Sequence, residues 1–188
     1  MTPTPCVIAL AGNPNAGKST IFNALTGGRQ HTGNWPGKTV EKKQGVFKHH
    51  GQQITVVDLP GTYSLSAWSL EEQIARDFLV EERPHAVVNV VDAANLERNL
   101  YLTAQILEIG IPVIIALNMM DIAESRQITI DLRQVAEILP NVVIIPMVAS
   151  RGKGIDALKE AIAVLPSESE RQSHENQSIP LAERSKSA

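Results

Sequence analysis

Short runs of consecutive apolar residues alternate along the chain with stretches whose apolar positions recur every three to four residues. Residues 7–10, 86–91 and 113–117 are continuous runs rich in Val and Ile, as expected of parallel strands covered on both faces. Residues 18–25, 70–80, 96–109, about 131–139 and 155–165 carry helical spacing, and 142–145 reads as a last strand. Residues 39–47 and 53–58 flank His49, His50 and Gly51, the layout of a hairpin whose second strand is buried. Between these elements, residues 27–38 mix glycines, a proline and polar residues without a sustained period, which predicts a long loop. Residues 59–68 and 148–154 read as further loops. The alternation predicts an α/β fold: a doubly wound, mainly parallel sheet of six strands, one of them antiparallel, with helices on both faces. Ligands of such a sheet sit at the carboxyl ends of its strands.

Composition narrows this picture. With 188 residues, of which 43% are hydrophobic, the chain can build one core without disulfides, and residues 1–166 are expected to form one domain. Residues 167–188 hold six serines and few large apolar side chains, so they are expected to be a linker or disordered tail. The single cysteine, Cys6, cannot close an internal disulfide. A net charge of -3 argues against a basic field for nucleic acid, and no nucleic-acid partner is expected. No apolar run is long enough to span a bilayer, so the chain taken alone is expected to be soluble. Association of identical copies stays open.

The candidate chemistry begins at Gly12-Asn13-Pro14-Asn15-Ala16-Gly17-Lys18-Ser19, a G-x-x-x-x-G-K-[ST] phosphate loop lying between a predicted strand and a predicted helix. Backbone amides of such a loop point inward at phosphates, and the helix N-terminus, reaching Thr20, adds partial positive charge. Lys18 is expected to bridge the β- and γ-phosphates, and the Ser19 hydroxyl to coordinate magnesium. Asp58-Leu59-Pro60-Gly61 follows a buried strand, which places Asp58 to hold magnesium and Gly61 to offer its amide to the γ-phosphate. Thr39 is the natural second hydroxyl for magnesium once the loop before it closes.

Asn118-Met119-Met120-Asp121 ends another strand. Guanine offers two donors on adjacent nitrogens, which the Asp121 carboxylate can accept together; adenine leaves that carboxylate poorly paired, at a cost of about 1–3 kcal/mol. Asn118 is expected to bond the base edge and brace the phosphate loop, while Met119 stands where many guanine-binding loops carry a lysine and packs without adding charge. Val148, Ala149 and Ser150 follow the last strand and are expected to lay a backbone amide against the base. Five such elements in this order predict a guanine-nucleotide switch that binds GTP and GDP with Mg2+ and hydrolyses GTP slowly.

The wording of these segments resembles the N-terminal G domain of FeoB, the bacterial ferrous iron transporter, a branch of the Ras-like P-loop NTPases. The resemblance rests on the phosphate loop, on Gly33-Asn34-Trp35-Pro36-Gly37-Lys38-Thr39-Val40-Glu41, on Asp58-Leu59-Pro60-Gly61-Thr62-Tyr63-Ser64-Leu65, on Asn89 to Leu102 and on Ala116 to Asp121. It implies a domain on the cytoplasmic side of an inner membrane, followed in the complete transporter by helical regulatory and transmembrane regions. Thr62 stands where many GTPases carry a glutamine that orients water. The resemblance implies a substitute: potassium bound by Asn15, with backbone carbonyls around Gly33 and Trp35 completing the shell, neutralising charge as an arginine does. Glu71 and Glu72 are further candidates for positioning water. A free-standing GTPase of the ribosome-assembly or tRNA-modification type shares the Pro14-Asn15-x-Gly17-Lys18-Ser19 loop and is the alternative reading.

Two features are expected to lie outside the chemistry. His49 and His50 read as solvated residues of a hairpin tip rather than metal ligands, and His31, His85 and His174 are scattered without ligand spacing. Trp35, in the long loop, reads as an exposed indole at a contact surface or as one folded against the nucleotide.

Overall fold

The computed structural model describes residues 6–165, and the tail expected from residue 167 lies outside them. Seven strands form one sheet in the order β2-β3-β4-β1-β5-β6-β7. They are β1 Cys6–Gly12, β2 Gln30–Asn34, β3 Glu41–His49, β4 Gln52–Asp58, β5 Ala86–Asp92, β6 Val113–Asn118 and β7 Val143–Pro146. Only β3 runs against its neighbours, pairing antiparallel with both β2 and β4, while β4, β1, β5, β6 and β7 pair in parallel.

The helices are α1 Lys18–Thr26, α2 Leu70–Asp77, α3 Leu96–Glu108, α4 Met120–Ser125, α5 Leu132–Ile138 and α6 Ile155–Ala163. Alternate residues of the central strands point to opposite faces, so each face builds its own core. Ile8, Leu10, Val88, Val90 and Ile114 pack with Ile21, Phe22 and Leu25 of α1 and Leu158 and Ile162 of α6. Ala9, Ala11, Val87, Val91 and Ile115 pack instead with Ile74 of α2, Leu102 and Ile106 of α3 and Ala123 of α4. Strands β5 and β6 are buried almost from end to end, which is why they read as unbroken apolar runs.

The sheet has one strand more than the six the pattern predicts. Residues expected as loop form β2, whose Gln30–Asn34 segment pairs with residues 41–45 of β3. All five of its residues are exposed, so it has no buried face to leave an alternating apolar signal. The predicted strand at 39–47 begins instead at Glu41, leaving Thr39 in the bend before it. Helix α4 also went unforeseen; at six residues it is too short to show a period. The helical pattern over 70–80 is carried by α2 and then by a π-helical turn at Phe78–Glu82.

Gly45 sets how closely α1 rides over β3. A Cβ there would meet Thr26 Cγ2 at 2.4 Å and Thr26 Cβ at 2.9 Å. Thr26 cannot turn aside freely, because its hydroxyl donates to the Phe22 carbonyl at 2.9 Å in a buried bond. Gly45→Ala is therefore expected to lower unfolding free energy by about 1–3 kcal/mol, read from urea denaturation; an unchanged midpoint would show that α1 can move away without loss.

Candidate nucleotide-binding site

The parallel strands β1, β4, β6 and β7 deliver their following loops to one edge of the sheet. A cleft of about 610 Å³ opens there, lined by Asn13, Pro14, Asn15 and Gly17, by Lys18, Ser19 and Thr20 at the start of α1, and by Gly61 and Met119. Its size lies within the range of small-molecule sites. Gly12 ends β1 and Ala16 is buried beneath the loop, so these two shape the turn rather than line the cleft.

Asn118 holds this edge together. Its Nδ2 donates to the Ala16 carbonyl at 3.0 Å and its Oδ1 accepts from the Ala149 amide at 3.0 Å, both in buried surroundings. One side chain at the end of β6 thus ties the phosphate loop to the segment after β7. Gly17 is required by the same contact: its φ is +91°, and a Cβ would stand 2.2 Å from Asn118 Nδ2.

Lys18 Nζ donates to Asp58 Oδ1, and both side chains are largely buried. The two charges expected to face phosphate and metal therefore compensate each other in this structure. Asn13 is buried with neither amide atom bonded among the described residues, a polar group aimed at no protein partner within a cleft-lining loop. Asn15 and Met119 both adopt left-handed backbone, with φ of 66° and 63°. Such strain in residues other than glycine gathers where a ligand is clamped. An unpaired buried amide, a glycine cradle and an ammonium–carboxylate pair are a donor set suited to a phosphate–magnesium group.

Two residues beyond Met119, which lines the cleft, Asp121 lies in the first turn of α4, half-buried, with Oδ1 accepting from the Ile122 amide at 3.0 Å. Its Oδ2 lies 3.5 Å from Arg151 Nη2, a partner to which no spacing in the sequence points. Of the three residues expected at the base, Val148 donates its amide to the Lys153 carbonyl and Ala149 donates to Asn118. Ser150 is left as the residue of the three to offer an amide to a ligand.

Three expected participants stand away from the cleft. Thr39 is exposed in the bend before β3, and Gly33 pairs with Lys42 in the sheet. Trp35 corrects the expectation of an exposed indole: it is 7% exposed, packs edge-on against Phe78 with ring centroids 5.6 Å apart, and has Lys42 Nζ 4.8 Å from its ring centre. Burying a large aromatic surface outweighs leaving its Nε1 without a hydrogen bond among the described residues. The Trp35 carbonyl accepts from the Lys38 amide at 2.9 Å.

The loop after Gly61 is braced from both sides. Ser69 caps α2 by accepting from the Glu72 amide, and the Glu72 carboxylate reaches back to the Ser64 hydroxyl at 2.8 Å and the Trp68 amide at 3.1 Å. Gln105 of α3 accepts from the Leu65 amide at 2.8 Å. Glu72 is thus engaged in holding the loop.

Comparison with known proteins places these features. The family described as Ferrous iron transport protein B matches residues 6–162. The chain belongs to the FeoB family. The Fe(2+) transporter FeoB of Salmonella typhimurium is 55% identical over 159 residues, covering 82% of this chain and 20% of the relative, so the chain spans about a fifth of that transporter's length. The FeoB G-domain of Methanococcus jannaschii shares 49% identity at a TM-score of 0.76, covering 86% of this chain and 97% of that one. A GDP-bound mutant of the S. thermophilus FeoB G-domain shares 45% at a TM-score of 0.80, covering 85% of this chain and 61% of that one. The fold is thus that of FeoB G domains, and the family match is to FeoB rather than to a GTPase of the ribosome-assembly or tRNA-modification type.

The FeoB-like segment from Asn89 works as architecture. Asn89 Nδ2 donates to Thr103 Oγ1 at 2.7 Å inside the core. Asn99 accepts from the Asp92 amide at 3.2 Å and donates to the Asn95 carbonyl at 2.8 Å, fixing α3 onto the end of β5.

Removing the Asn118 tie should be visible without any ligand. Asn118→Ala leaves a buried carbonyl and a buried amide unpaired and is expected to cost about 1–3 kcal/mol in chemical denaturation. Asn118→Asp keeps the acceptor for Ala149 but loses the donor to Ala16. Wild-type stability in Asn118→Ala would mean the loops are held by something else.

Proposed function

We propose that this FeoB G domain, taken as residues 1–166, binds GTP with magnesium and hydrolyses it to GDP and phosphate as the switch of a ferrous iron transporter. The observation that carries the reading is that the phosphate loop, Gly61 and Met119 line one cleft, with Asp58 bonded to Lys18 and Asn118 tying the phosphate loop to the segment after β7. The GDP-bound S. thermophilus FeoB G-domain, similar over 85% of this chain, supports guanine nucleotide as the ligand. The Salmonella relative's description as an Fe(2+) transporter supports the wider role, in which regions beyond this domain move the ion and hold the domain at the cytoplasmic face of the membrane. Among the described residues no helix is long and apolar enough to cross a membrane.

On binding, Lys18 exchanges its contact with Asp58 for oxygens of the β- and γ-phosphates. Asp58 and the Ser19 hydroxyl would hold magnesium, with Thr39 if its loop closes, and the ion would supply charge neutralisation at the phosphate oxygens. Gly12 to Thr20 supply amides and helix-dipole charge, and the Gly61 amide reads the γ-phosphate. Asp121 accepts the guanine N–H pair, Met119 covers the base, and Ser150 offers an amide to its carbonyl edge.

Thr62 is not a glutamine, so transition-state charge must be met otherwise. Asn15, exposed at the mouth of the cleft, is the candidate ligand for potassium, with carbonyls from the Gly33–Trp35 stretch.

Single-turnover phosphate release tests this reading. Hydrolysis in potassium is expected to exceed that in sodium by about tenfold or more, with Asn15→Ala reduced to the sodium rate. Equal rates in the two salts would remove potassium from the mechanism, and no phosphate release in either would remove hydrolysis.

A further inference from the structure

Two histidines at the β3–β4 turn and one glutamate on α6 meet at the end of the sheet remote from the nucleotide cleft. Strand β4 runs from Gln52 at this turn to Asp58 at the cleft edge, so its full length separates the two places. Glu160 Oε2 accepts from His49 Nε2 at 3.0 Å and from His50 Nε2 at 2.7 Å, across 111 and 110 residues of chain. The expectation that these histidines are solvated residues rested on their place beside Gly51 at a hairpin tip. Folding brings a carboxylate to them from α6.

The turn itself is shaped to present them. His50 and Gly51 have φ of 47° and 77°, the left-handed pair of a two-residue hairpin turn. Asparagine serves the first of these positions well, yet a histidine occupies it, its ring centre 4.2 Å from that of His49. One ligand atom from each of the three side chains lies within 4.8 Å of the other two. Metal–ligand bonds of about 2.0–2.1 Å at the tetrahedral angle place neighbouring ligands about 3.3–3.4 Å apart, so the contacts to Glu160, at 3.0 and 2.7 Å, need to open by only about 0.3–0.7 Å to admit an ion.

We propose that His49, His50 and Glu160 form a surface site for a divalent first-row transition cation of the zinc or ferrous-iron class. Two neutral imidazoles and one carboxylate suit such ions and leave the remaining positions to water. An exposed carboxylate such as that of Glu160 is an anion at neutral pH. On binding, each imidazole turns the Nε2 lone pair to the ion while its proton resides on Nδ1, so the rings stay neutral and no oxidant or further reactant is involved. The ion would clamp the β3–β4 turn to α6. The inference stands on residues outside the nucleotide cleft and does not depend on the GTPase reading.

The test is calorimetric titration of the full chain with Zn2+, with Co2+ absorption as a second readout. One equivalent of Zn2+ is expected to bind, Co2+ is expected to show ligand-field bands, and Zn2+ is expected to raise Tm. Affinity should fall at least about tenfold in both His50→Ala and Glu160→Gln, and stay unchanged in Asp58→Asn, which alters the other site. His50 is 64% exposed, so its removal leaves the fold in place, and melting with chelator present checks this. Absence of a one-to-one site, or equal affinity in wild type, His50→Ala and Glu160→Gln, would overturn the proposal.

Discussion

The two hydrogen bonds of Asn118 are the constraint on which the cleft depends. The amide side chain is 4% exposed, so in the core it has no water to fall back on and must be satisfied by protein. It finds its partners in the Ala16 carbonyl and the Ala149 amide, which belong to loops far apart in the chain. Strand β6 beneath it is buried throughout, so the anchor of this bridge cannot drift. Three loops that would otherwise fluctuate separately are thereby held in one register. Gly17 belongs to the same arrangement, because any side chain there would occupy the space of the Asn118 amide.

Around this fixed point the site is held in a state with charge balanced but polar valence to spare. Lys18 and Asp58 satisfy each other, whereas the buried Asn13 amide has no partner among the described residues. Asn15 and Met119, both lining the cleft, hold left-handed backbone. The second loop is secured differently, by Glu72, Ser64 and Gln105, whose bonds tie it to α2 and α3. The Trp35 region is secured by burial against Phe78. The phosphate loop, the loop after Gly61 and the Trp35 segment thus have separate anchors: one buried amide, one polar brace and one aromatic contact.

Much of this was legible in the sequence, for identifiable reasons. Strands β5 and β6 are buried on both faces, so Val and Ile runs announced them, and the phosphate loop is dictated by backbone geometry that few sequences besides glycine-rich ones satisfy. Strand β2 left no trace because every residue in it faces solvent and its stability comes from the ladder with β3. Helix α4 begins at once after Met119 and ends within six residues, too few for a period. The burial of Trp35 and the engagement of the Ala149 amide by Asn118 depend on partners brought together only by the fold, as does the meeting of His49 and His50 with Glu160. The FeoB-like asparagines at 89, 95 and 99 were visible as words, but their work of docking α3 onto β5 was visible only as contacts.

If a braced loop edge with Asp121 at its far end is what defines this domain, selectivity for the purine should follow directly. Calorimetric titration of the chain with GDP and with ADP, each with magnesium, measures it. Binding of GDP tighter than ADP by about 5- to 150-fold is predicted, since adenine leaves the Asp121 carboxylate without its paired donors. Equal affinities for the two nucleotides, or no uptake of either, would contradict the account.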